Sequence, residues 1–245
     1  LIDSGTPSGT IVEHWNADVD NSGSIKAYIT GSSGDYTLTI AGNGSGSIMA
    51  NPDSTYLFGH EHGDVKPNLA FSAVTNIAGM GLLDTSKVTT MNSMFDCCSA
   101  LTALDVSGFD TSSVTNMAGM FGSCSALTAL DVSGFDTSKV TSMNSMFYCC
   151  SSLTTLDVSK LNTAKVEGMS DMFFGCRKLT ALDVSGFDTS SVTDMYGMFY
   201  DCSALTSLDL SGFDTSSVTS MASMFQGCTA MTALDLSGFD TSKVT

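Results

Sequence analysis

The sequence predicts an α/β solenoid: stacked units forming a horseshoe, with parallel strands on its concave side and short helices on its convex side, preceded by a small β-rich N-terminal domain. Three observations lead there: a 26-residue apolar period, a change of apolar spacing inside each unit, and a composition that only a repeated unit explains. Phe109, Phe135, Leu161, Phe187, Phe213 and Phe239 are each 26 residues apart, and Leu83 extends the series backwards. Such a period is read first, because it governs the rest of the fold. In the unit opened by Phe109, the apolar positions are Val114, Met117, Met120, Phe121, Cys124, Leu127, Leu130 and Val132. The next unit repeats them as Val140, Met143, Met146, Phe147, Cys150, Leu153, Leu156 and Val158. Six full units run from Leu83 to Gly238, and a seventh breaks off at Thr245, so the natural protein is expected to continue.

Within a unit, the spacing of three, three, one and three from Val114 to Cys124 lines one face of a helix. Asp110, Thr111 and Ser112 precede it with side-chain oxygens able to accept from free amides at a helix start. Leu130, Asp131 and Val132 alternate in the strand manner, and Ser133-Gly134 supplies the turn. No single unit covers its own apolar face, so units must stack. Helices about 10 Å wide against strands about 5 Å apart would curve the stack, with its strands inside.

Leu127, Leu130 and Val132 carry the Leu-x-x-Leu-x-Val strand signature of leucine-rich repeats. The run Phe109 to Phe121, read as Phe-Asp-Thr-Ser-x-Val-Thr-x-Met-x-x-Met-Phe, resembles the 26-residue repeat class of the BspA-like bacterial surface proteins. That resemblance implies a leucine-rich-repeat-like fold and an exported, extracellular protein of the cell surface, adhesin-like, whose relatives attach to host or neighbouring-cell proteins. One unit departs from the pattern: Leu161, Asn162, Thr163, Ala164, Lys165, Val166 and Glu167 replace its opening, as a local surface feature or as drift.

Residues 1–67 lack the repeat and read as a β-rich domain or cap; residues 68–245 read as the solenoid. Ile25 to Ile29 and Tyr36 to Ile40 alternate and are joined through Gly31 to Gly34, which predicts a hairpin. Val74 to Met80 reads as the strand of a first irregular unit, with a truncated helix as the alternative. A solenoid end needs a cover over its exposed core, and this segment is the natural candidate.

The chain has 245 residues, 9 basic and 25 acidic, for a net charge of −16. Hydrophobic residues make up 42%, which excludes a disordered acidic tail. Negative charge disfavours phosphate backbones and anionic lipid, so neither nucleic acid nor a membrane surface is an expected partner. No apolar run of 18 residues is present, so no membrane insertion is expected.

Six cysteines (Cys98, Cys124, Cys150, Cys176, Cys202 and Cys228) occupy one apolar position of successive units and read as small core residues. A disulfide between adjacent rungs stays open on distance, whereas Cys97 and Cys149, two units apart, are too far to join. The Met117 and Met120 positions read as core packing. Metal ligation has no support in the Cys spacing, and no histidine lies in the repeats to pair with a thiol. No cofactor and no catalytic group is expected, and the chain reads as a non-enzyme.

The candidate ligand-binding residues are Asp105, Asp131, Asp157, Asp183, Asp209 and Asp235, each between two inward-facing apolar residues and so pointing outward on the concave face. Carboxylates about 5 Å apart repel by about 1 kcal/mol in a water-like medium and about 3 kcal/mol at an effective dielectric near 20. Hydroxyl hydrogen bonds, weakly held cations or a basic partner must offset this. Either each Asp orders its own turn through local Ser and Thr, or the row is a partner surface. Weaker signals are Asp18 and Asp20, which begin like a calcium loop that Ile29 cannot close, and His60-Glu61-His62, which lacks a third metal ligand. Thr85, Thr111 and Thr137, with Thr89, Thr115 and Thr141, raise ice binding but sit where helix capping is expected. The expected function is binding of a protein ligand on a host or neighbouring cell. The alternative is a stiff structural spacer or appendage scaffold without a ligand. Ice or glycan binding ranks lower, for want of exposed aromatic rungs.

Overall fold

The computed structural model describes residues 11–16, 26–32, 35–41, 48–59 and 72–245. Among the described residues there are six strands: β1 (Ile11–Asn16), β2 (Lys26–Ser32), β3 (Asp35–Ala41), β4 (Ile48–Met49), β5 (Val74–Ala78) and β6 (Leu83–Asp84). One sheet has the order β1-β2-β3-β5, and β4 pairs with β6. The antiparallel β2–β3 pair, with Ser32 opposite Asp35, is the expected hairpin. Val74–Ala78 is a strand, parallel to β3, with Leu38 opposite Ile77 and both side chains buried. Its apolar residues follow the sheet rather than a helix because β3 offers unpaired backbone on that edge.

The sheet is tied directly to the repeats. The N–H and Oγ1 of Thr102 both donate to the Thr75 carbonyl, each at 3.2 Å. Residues 48–59 meet the first repeat in the same way that repeats meet each other. Tyr56 N–H donates to Asn92 O at 3.1 Å and Phe58 N–H to Met94 O at 2.8 Å. The Phe58 ring stacks on Phe95 at 5.3 Å. Together these segments act as an irregular unit ahead of the recognisable ones. Cys98 Sγ reaches back 40 residues to Phe58 O, where later units reach back 29. The extra residues fall between Phe58 and β5, which hides this unit from a search at fixed period.

In the repeats the expected helices are not formed: among the described residues from 83 onward, the Met117–Cys124 segment and its equivalents are runs of turns. The N–H groups of Met117, Gly119, Phe121 and Ser123 donate to Ser142, Asn144, Met146 and Tyr148 of the next unit at 2.6–3.0 Å. The alternate N–H groups of Met120, Gly122 and Cys124 bond three residues back, to Met117, Gly119 and Phe121. Left-handed backbone at Gly119 (φ 63°) and Ser123 (φ 56°) breaks any helix every four residues. The apolar spacing of three therefore records successive three-residue turns rather than one helix face. Thr90, Asn116, Ser142, Gly168, Asp194 and Ser220 form consecutive parallel bridges along this side. The turn-run side of a unit thus meets its neighbours at sheet-like spacing, and helix width supplies no reason for curvature there. The segment expected as a strand, Leu127 to Val132, is extended but pairs only sparsely with its neighbours.

The core is a set of columns, one residue per unit. Phe95, Phe121, Phe147, Phe173 and Phe199 are fully buried, and their rings stack at 5.7–5.8 Å, nearly parallel. Stacked apolar residues dominate the stability of such arrays, since a buried Phe is worth about 3 kcal/mol of transfer free energy. Each cysteine of the buried column donates its S–H to a Phe carbonyl, as Cys124 does to Phe95 at 3.2 Å. Among the described residues no disulfide forms. Buried threonines clamp adjacent units: Thr137 Oγ1 accepts from Asn162 N–H at 2.7 Å and donates to Asn162 O at 2.9 Å. The helix-capping role expected of these threonines is replaced by bonds between units, because there is no helix to cap. The departing unit keeps the common geometry, since Asn162 Oδ1 accepts from Ala164 N–H as aspartate does elsewhere.

Candidate functional site

All six candidate aspartates are exposed. In each, Oδ1 accepts the N–H of the serine two residues on, at 2.9–3.0 Å: Ser107 on Asp105, Ser133 on Asp131, Ser159 on Asp157, Ser185 on Asp183, Ser211 on Asp209 and Ser237 on Asp235. The Ser107 and Ser185 hydroxyls add a second bond to the same oxygen at 2.6 Å. Aspartate is suited to this turn because its short side chain reaches the backbone two residues ahead.

These bonds decide the electrostatics. The Ser133 hydrogen bonds hold Asp131 below the usual carboxylate range, and they outweigh the repulsion from Asp157 and Asp105 that pushes it up. The same balance holds at Asp183, where Ser185 outweighs Asp209 and Asp157. Local donors therefore act against the repulsion between neighbouring carboxylates. A second row, including Asp110, Asp136 and Asp188, is lowered by the serine two residues on in the same manner.

Three of the six line a groove of about 800 Å³: Asp105, Asp131 and Asp157, with Ala103, Ala129 and Thr155 beside them. Asn76 and Ile77 of β5 close one end. Asp183, Asp209 and Asp235 continue the row beyond the groove lining. The small Ala and Thr side chains leave the space, while the Asp turns fix the carboxylates along it. Such a groove can hold an extended basic segment by charge and backbone contact.

The buried thiols are held protonated: burial pushes Cys98 and Cys176 up to about 12. Among the described residues no three His, Cys, Asp or Glu side chains come together as a metal site. No helix there is long and apolar enough to cross a membrane. Asp18, Asp20 and His60-Glu61-His62 lie outside the described residues.

The sequence profile described as "Mycoplasma protein of unknown function, DUF285" matches this chain twice, over residues 67–181 and 148–245. The chain belongs to the DUF285 family. The two matches span the 26-residue units and β5, so the family pattern and the stacked architecture coincide. No curated protein and no solved structure matches this DUF285 chain.

Sequence reasoning missed an aromatic column on the turn-run side of this DUF285 chain. Tyr148, Phe174 and Tyr200 are half-buried and stack at 4.8 and 4.4 Å. Exposed aromatic rungs were expected to be lacking, yet the 26-residue spacing of these three was available as a signal. They occupy the position after the core Phe, which elsewhere holds Asp96, Gly122 and Gln226, so the column is no part of the common pattern.

Proposed function

We propose that this chain is a non-enzymatic, adhesin-like binding protein of the bacterial cell surface, displayed outside the cell, in which a leucine-rich-repeat-like solenoid presents an acidic groove to a protein ligand. The observation that carries the reading is the groove itself, with Asp105, Asp131 and Asp157 along one wall. Its carboxylates are oriented by serine bonds before any ligand arrives, so little conformational freedom is lost on binding. The kinship with BspA-like surface proteins belongs to this proposal and rests on the repeat pattern. Nucleic acid remains an unfavourable partner at a net charge of −16.

The test uses asparagine, because Asn162 already performs the aspartate turn without charge. The triple variant Asp105→Asn, Asp131→Asn, Asp157→Asn should keep the thermal midpoint. It should lose most of its capture of a poly-lysine peptide and of immobilised host matrix proteins. Undiminished capture by the folded variant would remove the groove from the function. If the unaltered chain captured none of these proteins, a spacer role would stand instead.

A further inference from the structure

The departing unit is preceded by a second departure. Lys160 stands where the other units have Gly108, Gly134, Gly186, Gly212 and Gly238. None of these five glycines has a left-handed backbone, and a Cβ built on Gly134 or Gly238 meets no atom within 4 Å. The position therefore accepts a side chain without strain. Lys160 is exposed, and what it changes is charge.

That charge falls on the acidic groove. Asp157 is held below the usual carboxylate range by its Ser159 hydrogen bonds and, beyond them, by Lys160. Asp105 has its serine bonds alone, and the further charges acting on Asp131 are the carboxylates of Asp157 and Asp105. Lys87 and Lys139, from other units, lie beside the second acidic row instead, at Asp84 and Asp136. The groove lining changes at the same unit, where Thr155 brings a hydroxyl in place of the Ala103 and Ala129 methyls. Read away from β5, the groove thus offers two uncompensated carboxylates beside alanines, then a compensated one beside a hydroxyl.

We propose that Lys160 sets the specificity of this groove, whose ligand is an extended segment with two basic side chains over Asp105 and Asp131 and an uncharged hydroxyl side chain next on the same face, over Thr155 and Asp157. The inference rests on the reading of the groove as the ligand site. Side chains on one face of an extended chain recur about every 6.6 Å, and successive units lie about 5 Å apart. The flexible four-carbon stem of lysine takes up that difference, so ligand residues two apart address successive units. A third cation would meet Lys160 together with Asp157, and repulsion from the one offsets attraction to the other. A hydroxyl there keeps hydrogen-bonding partners in Thr155 and Asp157 without facing that repulsion.

NMR titration of the isotope-labelled full chain at low ionic strength tests it, with end-blocked Lys-Ala-Lys-Ala-Ser, Ser-Ala-Lys-Ala-Lys and Lys-Ala-Lys-Ala-Lys as probes. The Ser107, Ser133 and Ser159 amides report on the three carboxylates they bond to. In the unaltered chain, Ser107 and Ser133 should shift most, and the third lysine should add no affinity over the better serine peptide. Lys160→Gly restores the residue of the other units. There the three-lysine peptide should bind about threefold tighter than the serine peptides, as one added exposed ion pair allows, and Ser159 should join the shifted amides. Gly134→Lys, at a position with room for it, moves the compensation to Asp131 and should weaken all three peptides by about threefold. A third lysine that already tightens binding to the unaltered chain, or that gains nothing in Lys160→Gly, overturns the role of Lys160 and leaves the groove as the site. So does Gly134→Lys binding like the unaltered chain. If no peptide shifts any of the three serine amides, the groove reading falls and this inference with it.

Discussion

Thr137→Val replaces a hydroxyl that makes two bonds to the next unit by a methyl of nearly the same size. Thr137 is 1% exposed, so water does not take the place of what is lost. The bonds are an N–H from Asn162 at 2.7 Å and a donation to its carbonyl at 2.9 Å. At about 1 kcal/mol net for each, the substitution should cost about 2 kcal/mol, and up to about 4 if the Asn162 groups stay unsatisfied. For a chain of this size, 2 kcal/mol lowers the thermal midpoint by about 4–8 °C. Thr141→Val is the matched comparison. Its hydroxyl is exposed and reaches the Thr115 carbonyl at 3.3 Å, but that oxygen already accepts the Thr141 N–H at 2.8 Å. Its loss should be below about 0.5 kcal/mol. Thermal and urea unfolding of both variants, with hydrogen exchange at the Asn162 amide, reads the difference. Because stability in a stacked array is a sum of unit and interface terms, exchange should rise locally as well as globally. If Thr137→Val and Thr141→Val prove equal, or Thr137→Ser is as damaging as Thr137→Val, the hydroxyl clamp is not what couples the units.

Two further predictions follow from the carboxylates. The serine-bonded aspartates, such as Asp105 and Asp209, have folded values below their unfolded ones. They stabilise the fold above about pH 4, and that contribution is lost as the pH falls through the lowered folded values. The urea midpoint should hold from pH 7 to 5 and drop on acidification below 4; a flat profile to pH 3 would contradict this. Asp171 is the opposite case: burial pushes its carboxyl up, aided by Asp194, and its Oδ1 is buried without a partner. Its ionised form weakens the fold above its raised value, and the penalty fades as the pH falls to the unfolded value. Asp171→Asn, which tolerates the left-handed backbone at φ 56°, should raise stability at pH 7 by about 1 kcal/mol. An unchanged or lowered urea midpoint would show that the carboxyl finds a partner in solution.

The sequence alone determined which residues face inward and how often. Phe121, Cys124 and Leu127 are buried because apolar side chains at a fixed period have only the stacked interior to enter. The exposed aspartate row was equally legible, since Asp131 lies between two buried neighbours, Leu130 and Val132. Helix and turn run were not distinguishable, because both place apolar residues three apart. The choice depends on where the alternate N–H groups go. Gly119 could donate within its own segment, but its partner is the Asn144 carbonyl of the next unit, a contact that no local window contains. The small residues at the left-handed positions (Gly119, Ser123, Ser145 and Cys149) were the available hint, since helices disfavour them. Tertiary structure alone revealed the irregular unit formed by residues 48–59 and β5, because an insertion shifts it out of register. It alone brought Asp96, Gly119 and Tyr148, from three successive units, around one concavity, because only stacking brings such distant parts of the chain together.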